Sequence, residues 1–187
     1  ISYVFPRIDD GPRYDLLGRH CLRARTMASS IRYHDGKFYV WFTANGAPGR
    51  GFVYTATDPA GPWKLLSRPP HFHDGSLLFD DDGRVYLFHS TGQLTELKPD
   101  LTDVLPGGIN QQIFERDADE QGLLEGSSVI KHNGKYYLLM ILWIGVFPAV
   151  CVVKYAIVPI RLPDLTKSVS FLKRSSTGMA VLVRDVS

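Results

Sequence analysis

The chain has 187 residues, of which 44% are hydrophobic, and this length suits one globular domain with a substantial core. Its formal net charge of +2 gives no electrostatic reason to expect nucleic acid or an anionic membrane as a partner. Seventeen glycines and twelve prolines indicate many turns, and no long stretch has helical periodicity, so we predict an all-β fold.

The chain opens with a strand-like segment at residues 1–5 and continues as a loop-like stretch over residues 7–26. It begins with Ile1 and has no secretory signal peptide, so we expect processing or truncation. Cys21 and Cys151 lie far apart, which suggests no metal site and leaves a disulfide open.

Three copies of one pattern follow. Residues 74–87 and residues 125–138 both run carboxylate, Gly, Ser, six residues, Gly, a basic residue, one further residue, Tyr and Leu. Residues 28–40 form a looser copy, which is one residue shorter before its turn and has Ala28 in place of the acid. Each copy centres on Asp-Gly or Asn-Gly between apolar runs, so we predict three β-hairpins with type I′ turns.

The spacing of the copies indicates the architecture. The turn glycines Gly36, Gly83 and Gly134 are 47 and 51 residues apart, and a period of about 40–50 residues is typical of β-propeller blades. We therefore predict a single, incomplete β-propeller domain over residues 1–187, with three blades at about 27–68, 74–105 and 125–174. Propellers typically have about four to eight blades, so we also expect open blade edges through which the chain could self-associate.

One apolar run requires a decision between two interpretations. Residues 136–153 form an 18-residue stretch without a charge, which reaches the length of a transmembrane helix. Gly145 and Pro148 interrupt the run, and its first half continues the third hairpin. We therefore predict antiparallel strands here and no membrane span.

Asp74 and Glu125 occupy equivalent positions in successive copies, two residues before the Ser that we expect to start each hairpin. Since the first strand of a blade is the innermost, the two carboxyl groups should share one cleft near the propeller axis, within about 12 Å of each other. A neighbouring carboxylate favours the protonated form of the first, which suits acid catalysis on a glycosidic bond. Taken alone, either acid would more often cap a turn, as we expect for residues 80–82, but the presence of both at one register of the repeat favours function.

Residues 30–40, 58–63, 73–83 and 125–127 together resemble glycoside hydrolase family 43, the five-bladed β-propeller arabinofuranosidases and xylosidases, over about residues 1–175. The resemblance implies an inverting acid/base glycosidase that acts on arabinose- or xylose-containing plant polysaccharides and is extracellular. It implies that Glu125 is the general acid and Asp74 the residue that modulates its pKa. Phe72, His73 and Met27 are the candidate substrate contacts, and we predict no metal ion and no cofactor.

The chain departs from the family pattern where a general base is expected. That base is an Asp in an Asp-Pro-Ser-like context, and neither Asp9 nor Asp10 stands in such a context. Met27 stands where the family usually has Trp. The alternative is therefore a catalytically inactive, carbohydrate-binding propeller, and we expect residues 1–187 alone to hydrolyse glycosides poorly or not at all. A protein-interaction propeller has no positive feature in the sequence.

Overall fold

The computed structural model describes residues 26–44, 49–116, 118, 122–143 and 151–158, with side chains from residue 29 to residue 141 of these ranges. Every regular element in this part of the chain is a β-strand, so the predicted all-β fold is confirmed. The strands form three antiparallel sheets.

The first sheet contains β1 (Thr26–His34), β2 (Lys37–Ala44), β3 (Gly51–Ala56) and β4 (Lys64–Ser67) in that order. The second contains β5 (Ser76–Phe79), β6 (Val85–His89), β7 (Gln93–Leu97) and β8 (Asn110–Gln112). The third contains β9 (Leu123–His132), β10 (Lys135–Trp143) and β11 (Cys151–Val158).

Each sheet is built like a propeller blade, and the first strands of the three sheets are neighbours: β5 contacts both β1 and β9. The second sheet extends past residue 105, where we expected that blade to end. Its outer strand β8 pairs with β7 from Gln93↔Gln112 to Thr95↔Asn110. The loop between β7 and β8 folds back onto β7, because the Leu105 N–H donates to the Glu96 carbonyl at 2.9 Å. This contact brings the chain back to the edge of the sheet, where β8 is added.

Two of the three predicted type I′ turns are present. Asp35-Gly36 and Asn133-Gly134 have positive φ at both central residues, at 46° and 76° in the first pair and 49° and 72° in the second.

The prediction of a type I′ turn at residues 82–83 was wrong. Of that pair only Gly83 has positive φ, and five residues separate β5 from β6. Aspartate side chains stabilise this wider turn because they accept backbone hydrogen bonds within it: Asp80 from the Asp81 N–H at 2.8 Å, and Asp82 from the Arg84 N–H at 3.1 Å.

Within the apolar run, residues 136–143 and 151–153 form antiparallel strands, as predicted, whereas residues 144–150 lie outside the described residues. β10 pairs with β9 on one side and with β11 on the other, from Tyr136↔Val158 to Trp143↔Cys151. In the described ranges, no helix combines the length and the apolar character that crossing a membrane would require.

The core lies between the blades, because the middle sheet is buried on both faces. Alternate residues of β5 and β6 point to opposite sides. Leu78, Tyr86 and Phe88 pack with residues of the third sheet, whereas Leu77, Val85 and Leu87 pack against Trp41 and Val53 of the first. This packing fixes the relative positions of β1, β5 and β9.

Asp80 does more than cap its turn. Its side chain is buried and accepts hydrogen bonds from the Lys131 ammonium and, at 2.6 Å, from the Tyr136 hydroxyl, both in the next sheet. Burial alone would raise the pKa of Asp80, but these two donors, with the Asp81 N–H and the charge of Lys131, outweigh it and hold the pKa below its usual value. The hairpin ends of the second and third sheets are therefore joined by a charged cluster in which Asp80 is buried and the Lys131 side chain is 20% exposed.

Candidate active site

Asp74 lies in the segment that leads into β5, and local sterics explain the Asp-Gly pair. Its backbone has φ of 51°, a conformation that Asp tolerates better than most residues. Gly75 packs directly on the indole of Trp41, so a Cβ at this position would lie only 2.3 Å from Trp41 Nε1. The Asp74 side chain is 9% exposed, and its Oδ2 accepts a hydrogen bond of 2.9 Å from the Gly126 N–H of the next blade.

Glu125 lies inside β9, opposite Ile141, and not ahead of the strand as its sequence position suggested. The register changes by one residue between the pairs Ile141↔Glu125 and Leu139↔Ser128, and Gly126 between them has φ of 74°. This is a β-bulge, a device that redirects a neighbouring side chain. The Glu-Gly pair is thus explained by the bulge.

Each copy of the repeat has a backbone irregularity close to the acid position. β1 has its own register shift between Met27 and Ser30, and the second copy has the left-handed residue Asp74 there. The repeat therefore encodes a backbone irregularity at the start of each innermost strand. In the second copy the irregular residue is Asp74 itself, and in the third it is Gly126, which follows Glu125.

The two carboxyl groups lie close together, with the His73 imidazole beside both. His73 Nε2 is 3.5 Å from Asp74 Oδ1 and 3.7 Å from Glu125 Oε2. One oxygen of each carboxylate and the imidazole nitrogen lie within 4.8 Å of one another. The expected distance limit of about 12 Å between Asp74 and Glu125 is therefore met, whereas their chemical roles stay predictions.

This separation restricts what the pair can do. In an inverting glycosidase the acid and the base are about 6.5–9.5 Å apart, because a water molecule must fit beyond the sugar. Asp74 is too close to Glu125 for the two to be such an acid–base pair, and its burial and its bond to Gly126 make it a fixed neighbour of Glu125. An imidazole and two carboxylates at this spacing could also coordinate one divalent cation, and the absence of a metal stays a prediction.

A buried histidine supports the segment that carries His73 and Asp74. The His73 carbonyl accepts a 2.7 Å hydrogen bond from the Ser90 N–H, and the His89 ring packs on Phe72 with centroids 4.4 Å apart. His89 contacts Thr95 Oγ1 at 2.9 Å and Ser90 Oγ at 3.0 Å. The sequence analysis did not identify His89. The one sequence feature that could have indicated it is a titratable residue at the end of an otherwise apolar strand.

The three predicted substrate contacts lie in different surroundings, and their contact with substrate stays a prediction. His73 adjoins both carboxylates. The Phe72 ring packs on His89 and Trp41 at the edge of the core, so it has a structural role beside any contact with sugar. Met27 lies in β1 opposite Thr43, but its side chain falls outside the described residues, as do Asp9 and Asp10.

Burial of His89 should make the fold sensitive to acid. Burial lowers the pKa of His89 from 6.5 to about 4. The unfolded chain then binds more protons than the folded chain between these pH values, so stability is complete above about pH 6.5 and is lost as the pH falls towards 4. We expect a loss of about 3 kcal/mol from this group.

Urea denaturation at pH 7, 5.5 and 4 measures this loss, with His89→Gln as the comparison. The variant should be less stable than the parent at pH 7 but should depend less on pH over the same interval. Parallel pH dependence in the two proteins would contradict the assignment to His89.

Comparison with known proteins gives a consistent result. A family model described as glycosyl hydrolases family 43 matches residues 10–141. A relative from Xylanibacter ruminicola, whose name assigns it to the beta-xylosidases, is 34% identical over 149 residues, which cover 75% of this chain and 26% of the relative. A xylosidase/arabinosidase of Butyrivibrio fibrisolvens is 32% identical over 130 residues, covering 60% of this chain and 24% of the relative. The chain thus spans about a quarter of the length of these relatives.

The solved structures agree. A structure described as a bifunctional GH43-CE protein of Bacteroides eggerthii matches with a TM-score of 0.61 and 36% identity, covering 72% of this chain and 18% of the other. An engineered GH43 glycoside hydrolase matches with a TM-score of 0.62 over 86% of this chain and 34% of the other, at 21% identity. The fold is confirmed as the five-bladed β-propeller type, of which this chain provides part. The chain belongs to glycosyl hydrolases family 43.

Proposed function

We propose that this chain forms the acid side of an inverting glycosidase site that acts on arabinose- or xylose-containing plant polysaccharides. The observation that carries the proposal is the grouping of Glu125, Asp74 and His73 at the start of two neighbouring inner strands. The names of its relatives, which include a xylosidase/arabinosidase and an arabinoxylan arabinofuranohydrolase, support this substrate class.

In this proposal Glu125 protonates the leaving oxygen. Its side chain is 29% exposed, so it can reach a bound substrate while remaining partly shielded from water. Asp74 is held beside it by a hydrogen bond from the Gly126 N–H. The base that activates water belongs on the opposite face of the sugar, and we assign no residue of this chain to it.

The test is hydrolysis by the full-length protein that carries this chain. Aryl β-D-xyloside, aryl α-L-arabinofuranoside and arabinoxylan are offered in parallel, and proton NMR follows the anomeric signal of the first sugar released. We expect turnover of at least one substrate, with the product initially in the inverted configuration. Release with retained configuration would contradict the proposed mechanism.

The alternative is a carbohydrate-binding propeller without catalysis. It predicts that arabinoxylan oligosaccharides bind, as measured by calorimetry, while none of the three substrates is hydrolysed. The family match and the close pair of carboxylates favour the enzyme.

Two further expectations belong to the proposal. Polymeric plant substrates are outside the cell, so we expect an extracellular protein. Self-association would use strand edges such as that of β4, which is unpaired on one side within the described residues and whose Leu65 and Leu66 are 49% and 45% exposed. Sedimentation at several protein concentrations tests it.

A further inference from the structure

We propose that His73 is a positioning residue that holds the Glu125 carboxyl group in its productive orientation beside Asp74. This inference rests on the proposed function and adds a third side chain to the acid side of the site. His73 acts through Glu125, without contact with the reacting atoms.

The imidazole is well placed for this task. His73 Nε2 lies between the two carboxylates, at 3.5 Å from Asp74 Oδ1 and 3.7 Å from Glu125 Oε2. These distances allow the ring N–H to attract either carboxylate and to reach hydrogen-bonding distance after a small movement.

The two carboxylates differ in how firmly they are held. Asp74 has the Gly126 N–H as a fixed donor from the next blade and is almost fully buried. Glu125 is longer, and its side chain is 29% exposed against 9% for Asp74. The imidazole therefore restricts the orientation of the Glu125 side chain more than that of Asp74.

The backbone of His73 is itself fixed. Its carbonyl accepts the Ser90 N–H at 2.7 Å, and its neighbour Phe72 packs on the buried His89 ring. His73 belongs to the second blade and Glu125 to the third. The imidazole therefore gives the Glu125 side chain a contact outside its own blade, which residues of β9 cannot give. Without it, the Glu125 carboxyl group could turn into solvent, away from the leaving oxygen.

This role predicts a dependence on the leaving group. A general acid matters most when the departing oxygen is strongly basic, and hardly at all when the leaving group is a stable anion. Loss of a positioned acid therefore slows substrates with sugar or phenyl leaving groups, and spares substrates with a dinitrophenyl leaving group. Loss of fold or of sugar binding slows both kinds to a similar extent.

The experiment compares His73→Phe, which keeps a ring but removes its nitrogens, with the parent in the full-length protein. The substrates are the phenyl and 2,4-dinitrophenyl glycosides of whichever sugar the parent hydrolyses. We expect kcat/KM to fall about 10–100-fold on the phenyl glycoside and less than about threefold on the dinitrophenyl glycoside. His73→Gln, which keeps an N–H donor, should recover most of the loss, and His71→Phe, an exposed position two residues away, should change neither value.

Glu125→Gln is measured on the same two substrates to separate the two proposals. In one outcome, Glu125→Gln loses kcat/KM mainly on the phenyl glycoside, whereas His73→Phe loses it equally on both glycosides. This outcome would overturn the inference about His73 and leave the assignment of Glu125 as the acid intact. The absence of selectivity in Glu125→Gln would overturn the acid assignment itself, and the inference with it. If His73→Phe does not fold, His73→Asn, whose amide is too short to reach Glu125, provides the same comparison.

Discussion

Replacing Glu125 with Gln should lower hydrolysis of natural oligosaccharides by the full-length protein about 10²–10⁴-fold, because the leaving oxygen then departs without a proton. The substitution keeps the shape of the side chain and removes its acidic proton. Since Glu125 lies beside the Gly126 bulge with 29% of its side chain exposed, the fold should tolerate an amide there. Steady-state kinetics on xylo- or arabino-oligosaccharides, with a thermal melt of each protein, measures both effects.

Glu115→Gln is the matched control, because Glu115 is an exposed acid outside the site. It should leave the kinetics unchanged. Asp74→Asn is an informative companion, since an amide oxygen can still accept the Gly126 N–H while the charge is lost. It should retain the fold and lose activity. Parental turnover in Glu125→Gln would show that the acid is another residue.

The local features of this site were predictable from the sequence. The Asp-Gly and Asn-Gly pairs at residues 35–36 and 133–134 form the expected turns, because a type I′ turn depends almost wholly on the conformations open to its two central residues. The repeat placed Asp74 and Glu125 at one register, and the inner strands bring them together.

Other features depend on contacts between distant segments, and the sequence alone could not predict them. The bulge at Gly126 is defined by pairing with β10, and the wide turn at residue 83 depends on side-chain acceptors within it. Asp80 looked like one more turn residue, yet its partners Lys131 and Tyr136 are more than fifty residues away. The role of His89 as a support of the site follows only from its contacts with Phe72 and Ser90 in the folded chain.

Arg32 is the strongest example of such a distant contact, because one guanidinium joins three blades. From β1 it donates to the Leu77 carbonyl and to Ser76 Oγ, both at 2.7 Å, and to the Val129 carbonyl at 2.8 Å. Ser76 Oγ in turn accepts from the Val129 N–H at 3.1 Å. Ser76 and Leu77 belong to β5, two and three residues after Asp74, and Val129 belongs to β9, four residues after Glu125.

We therefore expect Arg32→Met to destabilise the fold by about 3 kcal/mol or more. A hydrogen bond from a charged donor contributes roughly 1.5–3 kcal/mol, and acceptors left buried without a donor add to the cost. Arg32→Lys should recover only part of the loss, because a single ammonium cannot reproduce the fork that reaches all three acceptors. Urea denaturation at pH 7 gives the free energies of unfolding.

Arg50→Met is the control for Arg32, since Arg50 is exposed and donates to the Arg68 carbonyl within the same blade at 2.9 Å. Its loss should cost no more than about 1 kcal/mol. Because Arg32 sets the spacing of the inner strands, Arg32→Met should also slow the phenyl and dinitrophenyl glycosides to similar extents, in contrast to His73→Phe. A loss of stability no larger than that of Arg50→Met would show that the blades keep their arrangement without the Arg32 contacts.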